Sequence, residues 1–370
     1  MLLYLKSYKI KELYKNILTS VEKEHTQQTE KHKNSRVLIV DGLNTFIRCW
    51  SSIPTMNDDG DHVAGVTGTL KSIGFAIKQV QPTRVIVVFD GSGGSQSRKK
   101  LYTGYKANRD GKNKLRVNRS YDDMMTKEDE RESMKRQYVW LSELMHELPI
   151  TTMMYDKVEA DDVMAYIATH LLKEDEQAVL MSTDKDFLQL VDDKTIVWSP
   201  TKKKIYNKKL VKEEFGIESK NLLLYRVLDG DTSDNIPGVK GCGIKTLVNR
   251  FPELTEDKKL TVDDLLVLAK RKRDIRLIGK EKPIKLFEDI INAEPQILMN
   301  EKLMQLTQPI LSGTTKMNIL TRFDEEIKPL KKLSFFQICV KHKVMGGFGT
   351  DINNWLKTTF ETLITDGHGR

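Results

Sequence analysis

Cysteine is scarce: three in 370 residues, at Cys49, Cys242 and Cys339, with no C-x-x-C spacing. That excludes a disulfide framework and a structural zinc site built on paired cysteines. The seven histidines form no H-E-x-x-H or similar pair, so histidine-ligated zinc hydrolysis has no support. No apolar run approaches the length that spans a bilayer, and the first residues do not read as a cleavable signal peptide. A cytoplasmic protein without membrane contact is the expectation. Internal repeats are also missing. What is abundant is charge: 60 Lys+Arg against 52 Asp+Glu, a net charge of +8. If one group of carboxylates is gathered into a pocket, the remaining body is strongly basic. Such a body suits a polyanionic partner.

The length predicts two or three domains. Residues 1–24 carry Leu2, Leu5, Ile10, Leu13, Tyr14, Ile17, Leu18 and Val21 at near-helical spacing among lysines, and 24–34 is a polar linker. Continuous apolar runs then alternate with helical patterns. Arg36–Gly42, Thr83–Gly91, Ile150–Tyr155, Ala178–Asp186 and Thr195–Trp198 read as strands. Gly65–Val80, Lys127–Leu148 and a helix from about Glu159 read as helices, with a loop over 43–60 and a helical turn over Phe187–Val191. Alternation of this kind predicts an α/β fold: a parallel sheet flanked by helices. From about Lys202 the chain turns helical, including Glu213–Leu228, and continues so to Leu363. The tail after Ile364 is expected to fray.

The acids are not scattered. Asp41, Asp90, Asp184 and Asp186 stand at the carboxyl ends of predicted strands, where open parallel sheets bind ligands. Glu159, Asp161 and Asp162 open a helix. At i and i+3, Glu159 and Asp162 share a face, and Asp161 points to another side. Asp231 and Asp234 follow in D-G-D-T-S-D-N. Nine carboxylates without histidine or cysteine are a hard, oxygen-only donor set suited to Mg²⁺ or Mn²⁺. An Mg²⁺ ion usually takes one or two protein carboxylates, so this number suggests two ions.

In order along the chain stand V-D-G, F-D-G, V-E-A-D-D, S-T-D-K-D and G-D-x-S-D-N-I-P-G-V-x-G-x-G-x-K-T. From about Val37 to Phe251 the sequence thereby resembles the 5′-nuclease (flap endonuclease) superfamily, which includes the 5′-nuclease domain of bacterial DNA polymerase I and the bacteriophage 5′-nucleases. The long helical C-terminal region and Trp198-Ser199-Pro200 incline the resemblance toward the phage replication enzymes, some of them called RNase H. The resemblance implies a PIN-like core at 35–200, with a helical arch at about 92–135. A helix–hairpin–helix domain at 201–320 and a helical region at 321–370 follow, while residues 1–34 stand outside the match. It also divides the acids. Asp41, Asp90, Glu159, Asp161 and Asp162 would serve a first ion, and Asp184, Asp186, Asp231 and Asp234 a second, with Asp162 open to sharing.

Two further stretches gain meaning beside it. Gly238, Gly241 and Gly243 form a tight turn before Lys245 and Thr246, where backbone N–H groups can approach phosphate. In the superfamily this turn grips duplex DNA and often holds K⁺. Arg98 to Arg109 mixes cations with Tyr102 and Tyr105, a composition suited to single strands, and Lys112, Lys114, Arg116 and Arg119 extend it. Arg98, Lys99, Tyr105, Lys106 and Arg109 are the expected DNA contacts there. By resemblance, Lys106 and Arg109 meet the scissile phosphate, and one helical face would carry both. Lys270, Arg271, Lys272, Arg273 and Arg276 are either a duplex contact or a solvated face.

The expected function is a monomeric, Mg²⁺-dependent 5′→3′ exonuclease and flap endonuclease. Its substrates would be branched or nicked DNA with a 5′ single strand, and RNA–DNA primer hybrids, in a bacterial cell or phage-infected host. Residues 1–34 pack on the body or bind a replication protein. The rivals are a PIN-type endoribonuclease, which needs only the first acids, and a junction-binding protein without catalysis.

Overall fold

The computed structural model describes residues 35–109 and 126–365. The expected helix at 1–24, the linker at 24–34, the middle of the arch with Lys112, Lys114, Arg116 and Arg119, and the last five residues lie outside the described residues.

The first half runs β1 (Arg36–Asp41), α1 (Gly42–Ser52), α2 (Ala64–Val80), β2 (Arg84–Asp90), α3 (Gln96–Leu101), α4 (Lys127–His146), β3 (Thr151–Tyr155), α5 (Ala160–Tyr166), β4 (Gln177–Met181), β5 (Thr195–Ser199) and β6 (Lys204–Tyr206). The sheet order is β3-β2-β1-β4-β5-β6. The first five strands are parallel, and β6 returns antiparallel to β5. The order reverses direction at β1 and β4. The crevice beyond their carboxyl ends is the topological switch point where such sheets bind ligands.

Alternation along each buried strand builds two cores. Leu38 and Val40, Val85 and Val87, and Val179 and Met181 point to one face. Val37 and Ile39, Ile86 and Val88, and Ala178 and Leu180 point to the other. A strand with both faces covered therefore reads as a continuous apolar run. The first face is covered by α1, α2 and α4, and the second by α5 and the turn around Phe187–Val191.

Two elements differ from expectation. Residues 43–60 are not all loop, because α1 starts directly after β1. Asp41 caps it by accepting from the Asn44 N–H, and Phe46, Cys49 and Trp50 bury its inner face at i, i+3 and i+4. The expected helix over 213–228 is instead α6 (Lys208–Phe215), stopped at Gly216, and α7 (Leu222–Asp229), stopped at Gly230.

The helices α8 (Ile244–Arg250), α9 (Val262–Ile278), α10 (Lys285–Asn292) and α11 (Glu294–Met304) then close a third core around Leu228, Phe251, Leu265 and Phe287. The chain returns to the sheet through α12 (Gly313–Asp324), whose Ile319 and Phe323 join the second face. Finally α13 (Lys332–Lys341) and α14 (Ile352–Leu356) seal the first face with Phe335, Cys339 and Leu356. Among the described residues, no helix is long and apolar enough to cross a membrane.

Candidate functional site

The acids meet at the switch point. Asp41 ends β1 and is buried. Its Oδ1 accepts from the Asn44 N–H at 3.0 Å and its Oδ2 from Ser182 Oγ at 3.1 Å. Asp90 ends β2, and its Oδ1 accepts from the Ala160 N–H at 2.8 Å, capping α5 from outside its own chain segment. Gly91 is needed after it, since a Cβ there would stand 1.7 Å from the Tyr155 carbonyl oxygen. That contact explains the F-D-G motif as packing of the strand end against β3. Beyond β4, Asp184 accepts from the Asp186 N–H at 2.8 Å and opens the following 3₁₀ turn.

Burial and mutual repulsion act on these groups together. Burial, with Asp90 and Asp184 nearby, pushes the Asp41 carboxyl up to about 7. Burial and the Asp184 charge push Asp186 up to about 7 as well. Asp161 is raised well above the usual carboxylate range by burial and by Asp41 and Asp184, and Asp184 is raised chiefly by burial. A set that resists its own ionisation is short of positive charge.

Resident cations answer part of that shortage. Lys106 is 17% exposed, ion-paired with Glu159 and 3.9 Å from Asp234. Burial would raise Glu159, but Lys106 and Arg98 hold it below the usual range. Arg226, on α7, donates to Asp186 at 2.6 Å and to Asp231 at 2.8 Å. Burial would likewise raise Asp231. Ser233, Arg226 and the Asp234 N–H lower it instead.

Among the described residues, no three His, Cys, Asp or Glu side chains are grouped closely enough to ligate one ion directly. The donor set nevertheless fits small hydrated dications. All its atoms are oxygens, several acids carry uncompensated repulsion, and Mg²⁺ needs only one or two carboxylates beside its waters.

The structure separates the expected DNA contacts. Gly238, Gly241 and Gly243 are exposed on the turn before α8, Lys245 and Thr246 are exposed in its first turn, and Lys99 is half-buried. Arg98 and Tyr105 are a correction: at 3% exposure each, they face carboxylates and present no surface to a strand. Arg98 pairs with Glu159 and Asp162, and Tyr105 Oη donates to Glu159 at 3.2 Å.

Lys106 and Arg109 do not share a helical face either. Lys106 has φ +56 and precedes the three-residue 3₁₀ turn Ala107–Arg109. That segment is instead bolted to the second acid loop. The Lys106 N–H donates to the Asp234 carbonyl, Asn108 Nδ2 to the Thr232 carbonyl, and Asn235 Nδ2 to the Gly104 carbonyl, each at 2.8 Å. On α9, Lys270, Lys272, Arg273 and Arg276 are paired with Glu294, Glu253, Asp274 and Glu281, while Arg271 is exposed.

Sequence reading missed Arg226, Asn44 and Ser182. A signal existed for Arg226, an arginine one helical turn before the G-D of the acid loop. Asn44 and Ser182 follow or precede an acid without any distinctive pattern.

Comparison with known proteins agrees with this architecture. The family profile described as "5′-3′ exonuclease, N-terminal resolvase-like domain" matches residues 36–216. A 5′-3′ exonuclease of Buchnera aphidicola (subsp. Acyrthosiphon pisum) is 30% identical over 226 residues, 60% of this chain and 73% of the relative. That of Bacillus subtilis is 31% identical over 242 residues, 63% of this chain and 73% of the relative. In fold, the chain is similar to the T5 5′-exonuclease with bound divalent zinc ions, with TM-score 0.54 and 22% identity over 82% of this chain and 99% of that one. The T5 flap endonuclease in a pseudo-enzyme–product complex with DNA and metal ions gives TM-score 0.54 and 21% identity, with the same coverage. The strand-end acids, the six-stranded sheet and these relatives together make this chain a nuclease of the 5′-3′ exonuclease family, within the 5′-nuclease superfamily.

Proposed function

We propose that this nuclease hydrolyses phosphodiesters at 5′ ends and flaps of branched DNA, and of RNA primers on DNA, during replication, and that it depends on Mg²⁺. The observation that carries the reading is the convergence of Asp41, Asp90, Glu159, Asp161, Asp184, Asp186, Asp231 and Asp234 at the crevice beyond the carboxyl ends of the strands, with Lys106 among them. Two divalent ions held there would supply an activated water and stabilise both the attacking and leaving oxygens.

The chain's own residues do the rest. The two sets of carboxylates, on the strand ends with α5 and on the loop at Asp231–Asp234 with Asp184 and Asp186, would hold the ions. Lys106, fixed between Glu159 and Asp234, offers its ammonium to a phosphate oxygen where charge builds in the transition state. The exposed turn at Gly238–Gly243, with Lys245 and Thr246, holds the duplex backbone and, in this reading, a K⁺ ion. Half-buried Lys99 lines the approach of the 5′ strand, and the contact of Arg109 with the scissile phosphate stays part of the proposal. Contacts to backbone carry no base information, so selection is by shape. The division into 35–200, 201–320 and 321–370, the monomeric state and the cytoplasmic setting belong to the same proposal.

The test is cleavage of end-labelled flap, nicked and RNA-primed duplexes in Mg²⁺ and in EDTA. Cleavage near the junction in Mg²⁺ alone is expected. Tight binding without cleavage in any metal would leave a junction-binding protein, and cleavage confined to single-stranded RNA would leave an endoribonuclease.

A further inference from the structure

Arg98 is a buried cation that the reaction scheme above does not use. Its Nη1 donates to Glu159 Oε2 at 2.5 Å and to Asp162 Oδ2 at 2.6 Å, and Nη2 donates to Asp162 Oδ1 at 3.2 Å. Its Nε donates to the Leu303 carbonyl at 2.8 Å. Asp162 is 2% exposed, and its Oδ1 also accepts from the Ile310 N–H at 3.0 Å. Both oxygens of Asp162 are therefore occupied by a fixed guanidinium fork and a backbone amide. The neighbouring Asp161 stands apart: the charges that act most on it are Asp41, Asp184, Lys106 and Asp90.

A carboxylate serving an ion must turn an oxygen toward it. Asp162 turns both toward Arg98 and the helical region, whereas Glu159 gives only Oε2 to Arg98 and keeps Oε1 on the side of Lys106, beside Asp234. We propose that Asp162 is not a metal ligand but the anionic half of a buried latch with Arg98. The latch positions Glu159 and ties the first turn of α5 to α3 and to the chain at Leu303 and Ile310. The assignment of Glu159 to a metal site rests on the function proposed above, and the latch itself does not.

Three physical consequences distinguish a latch from a ligand. A ligand carboxylate set mainly among other carboxylates, as Asp161 is, chiefly adds repulsion in the metal-free cluster, so neutralising it leaves stability unchanged or raises it. A latch carboxylate balances a buried cation, and removing one partner strands the other. Removing both partners together is milder than either single removal implies.

The experiment uses the full chain and reads two quantities, melting temperature in EDTA and the number of Mn²⁺ ions bound. Asp162→Asn is expected to lower the EDTA melting temperature by about 5–10 °C, with the same number of Mn²⁺ ions as the wild type. Asp161→Asn is expected to do the opposite, keeping or raising the melting temperature and losing an ion. Arg98→Met and Asp162→Leu should each destabilise, and the double variant should melt no lower than either single one.

Arg98→Lys, which keeps the charge but loses the fork, supplies the same coupling test if Arg98→Met does not fold. An unchanged EDTA melting temperature for Asp162→Asn overturns the latch whatever the ion count, and a lost ion overturns it whatever the melting temperature. Additive losses in the double variant also overturn it. If no acid substitution changes Mn²⁺ binding, the metal reading fails, and the EDTA melts still decide the latch.

Discussion

Lys106→Ala separates chemistry from binding. The Lys106 ammonium lies between Glu159, its ion-pair partner, and Asp234 at 3.9 Å, and is 17% exposed. Burial would lower its pKa, but Glu159, Tyr105 and Asp234 raise it above the ordinary lysine value, so the cation is permanent at working pH. Two unit charges at the 3.9 Å spacing to Asp234 interact by about 4 kcal/mol at an effective dielectric of about 20. A phosphoryl oxygen gaining charge at a similar range would draw on a comparable gross energy. Measured losses of one preorganised donor are on the order of 10²–10³ in rate, or about 3–4 kcal/mol.

Long-range steering by so enclosed a cation is slight. The affinity lost should be no more than one phosphate contact, a change of about one in the salt slope. The assay is single-turnover cleavage of an end-labelled 5′ flap at saturating enzyme, beside binding measured across a salt series. We expect a rate about 10²-fold lower with flap affinity nearly kept. A Lys106→Ala protein that cleaves at the wild-type rate once bound, but binds less well, would reduce Lys106 to a steering charge and refute the reasoning.

Further expectations concern the acids, the turn and the N-terminus. Asp41 and Asp186 stand up to about 7 in the folded, metal-free protein against 3.8 as the ordinary value, through burial and neighbouring carboxylates. The penalty they impose is present above pH 7 and eases as pH falls through 7. In EDTA the melting temperature should rise between pH 8 and pH 6, and a fall would contradict the cluster. Gly241 has φ +85, and a Cβ there would meet only Leu286, at 3.8 Å. Gly241→Val should therefore cost about 1–2 kcal/mol of stability through backbone strain, and weaken duplex binding more than single-strand binding. Equal losses on both would exclude the turn from the duplex contact. A chain beginning at Ser35 should cut flaps at the full-length rate, because every acid of the site lies at or beyond Asp41. Loss of activity in that folded truncation would tie residues 1–34 to the site.

The strands were legible because they are buried on both faces, so that Val37–Val40 and Val85–Val88 form unbroken apolar runs ending in an acid. The i, i+3 relation of Glu159 and Asp162 was equally readable, and one arginine fork now spans the pair. What that fork was doing was not readable. A basic and aromatic composition from Arg98 to Arg109 suits phosphate as well as carboxylate, and only tertiary packing decides which anion arrives. Arg98 met two acids about sixty residues away in sequence. Arg226 was hidden for the same reason, inside an amphipathic helix where its neighbours predict only burial. Helix α1 was lost to the weak pattern of G-L-N-T, whose start is fixed by the Asp41 side chain rather than by propensity. The strand β6 has three residues and gains its order from β5.

The sheet order has a bearing on when the enzyme becomes dangerous. Asp41 and Asp234 belong to one crevice although roughly two hundred residues of synthesis separate them. At about 5–20 residues per second, a ribosome needs about 10–40 s to pass from the first acid to the last. The helices that seal the first face of the sheet, α13 and α14, emerge later still. A nascent chain, or a fragment cut anywhere between the two acids, therefore holds an incomplete set of carboxylates. On the proposed assignment of the acids, metal-dependent cleavage therefore waits until synthesis has passed Asp234.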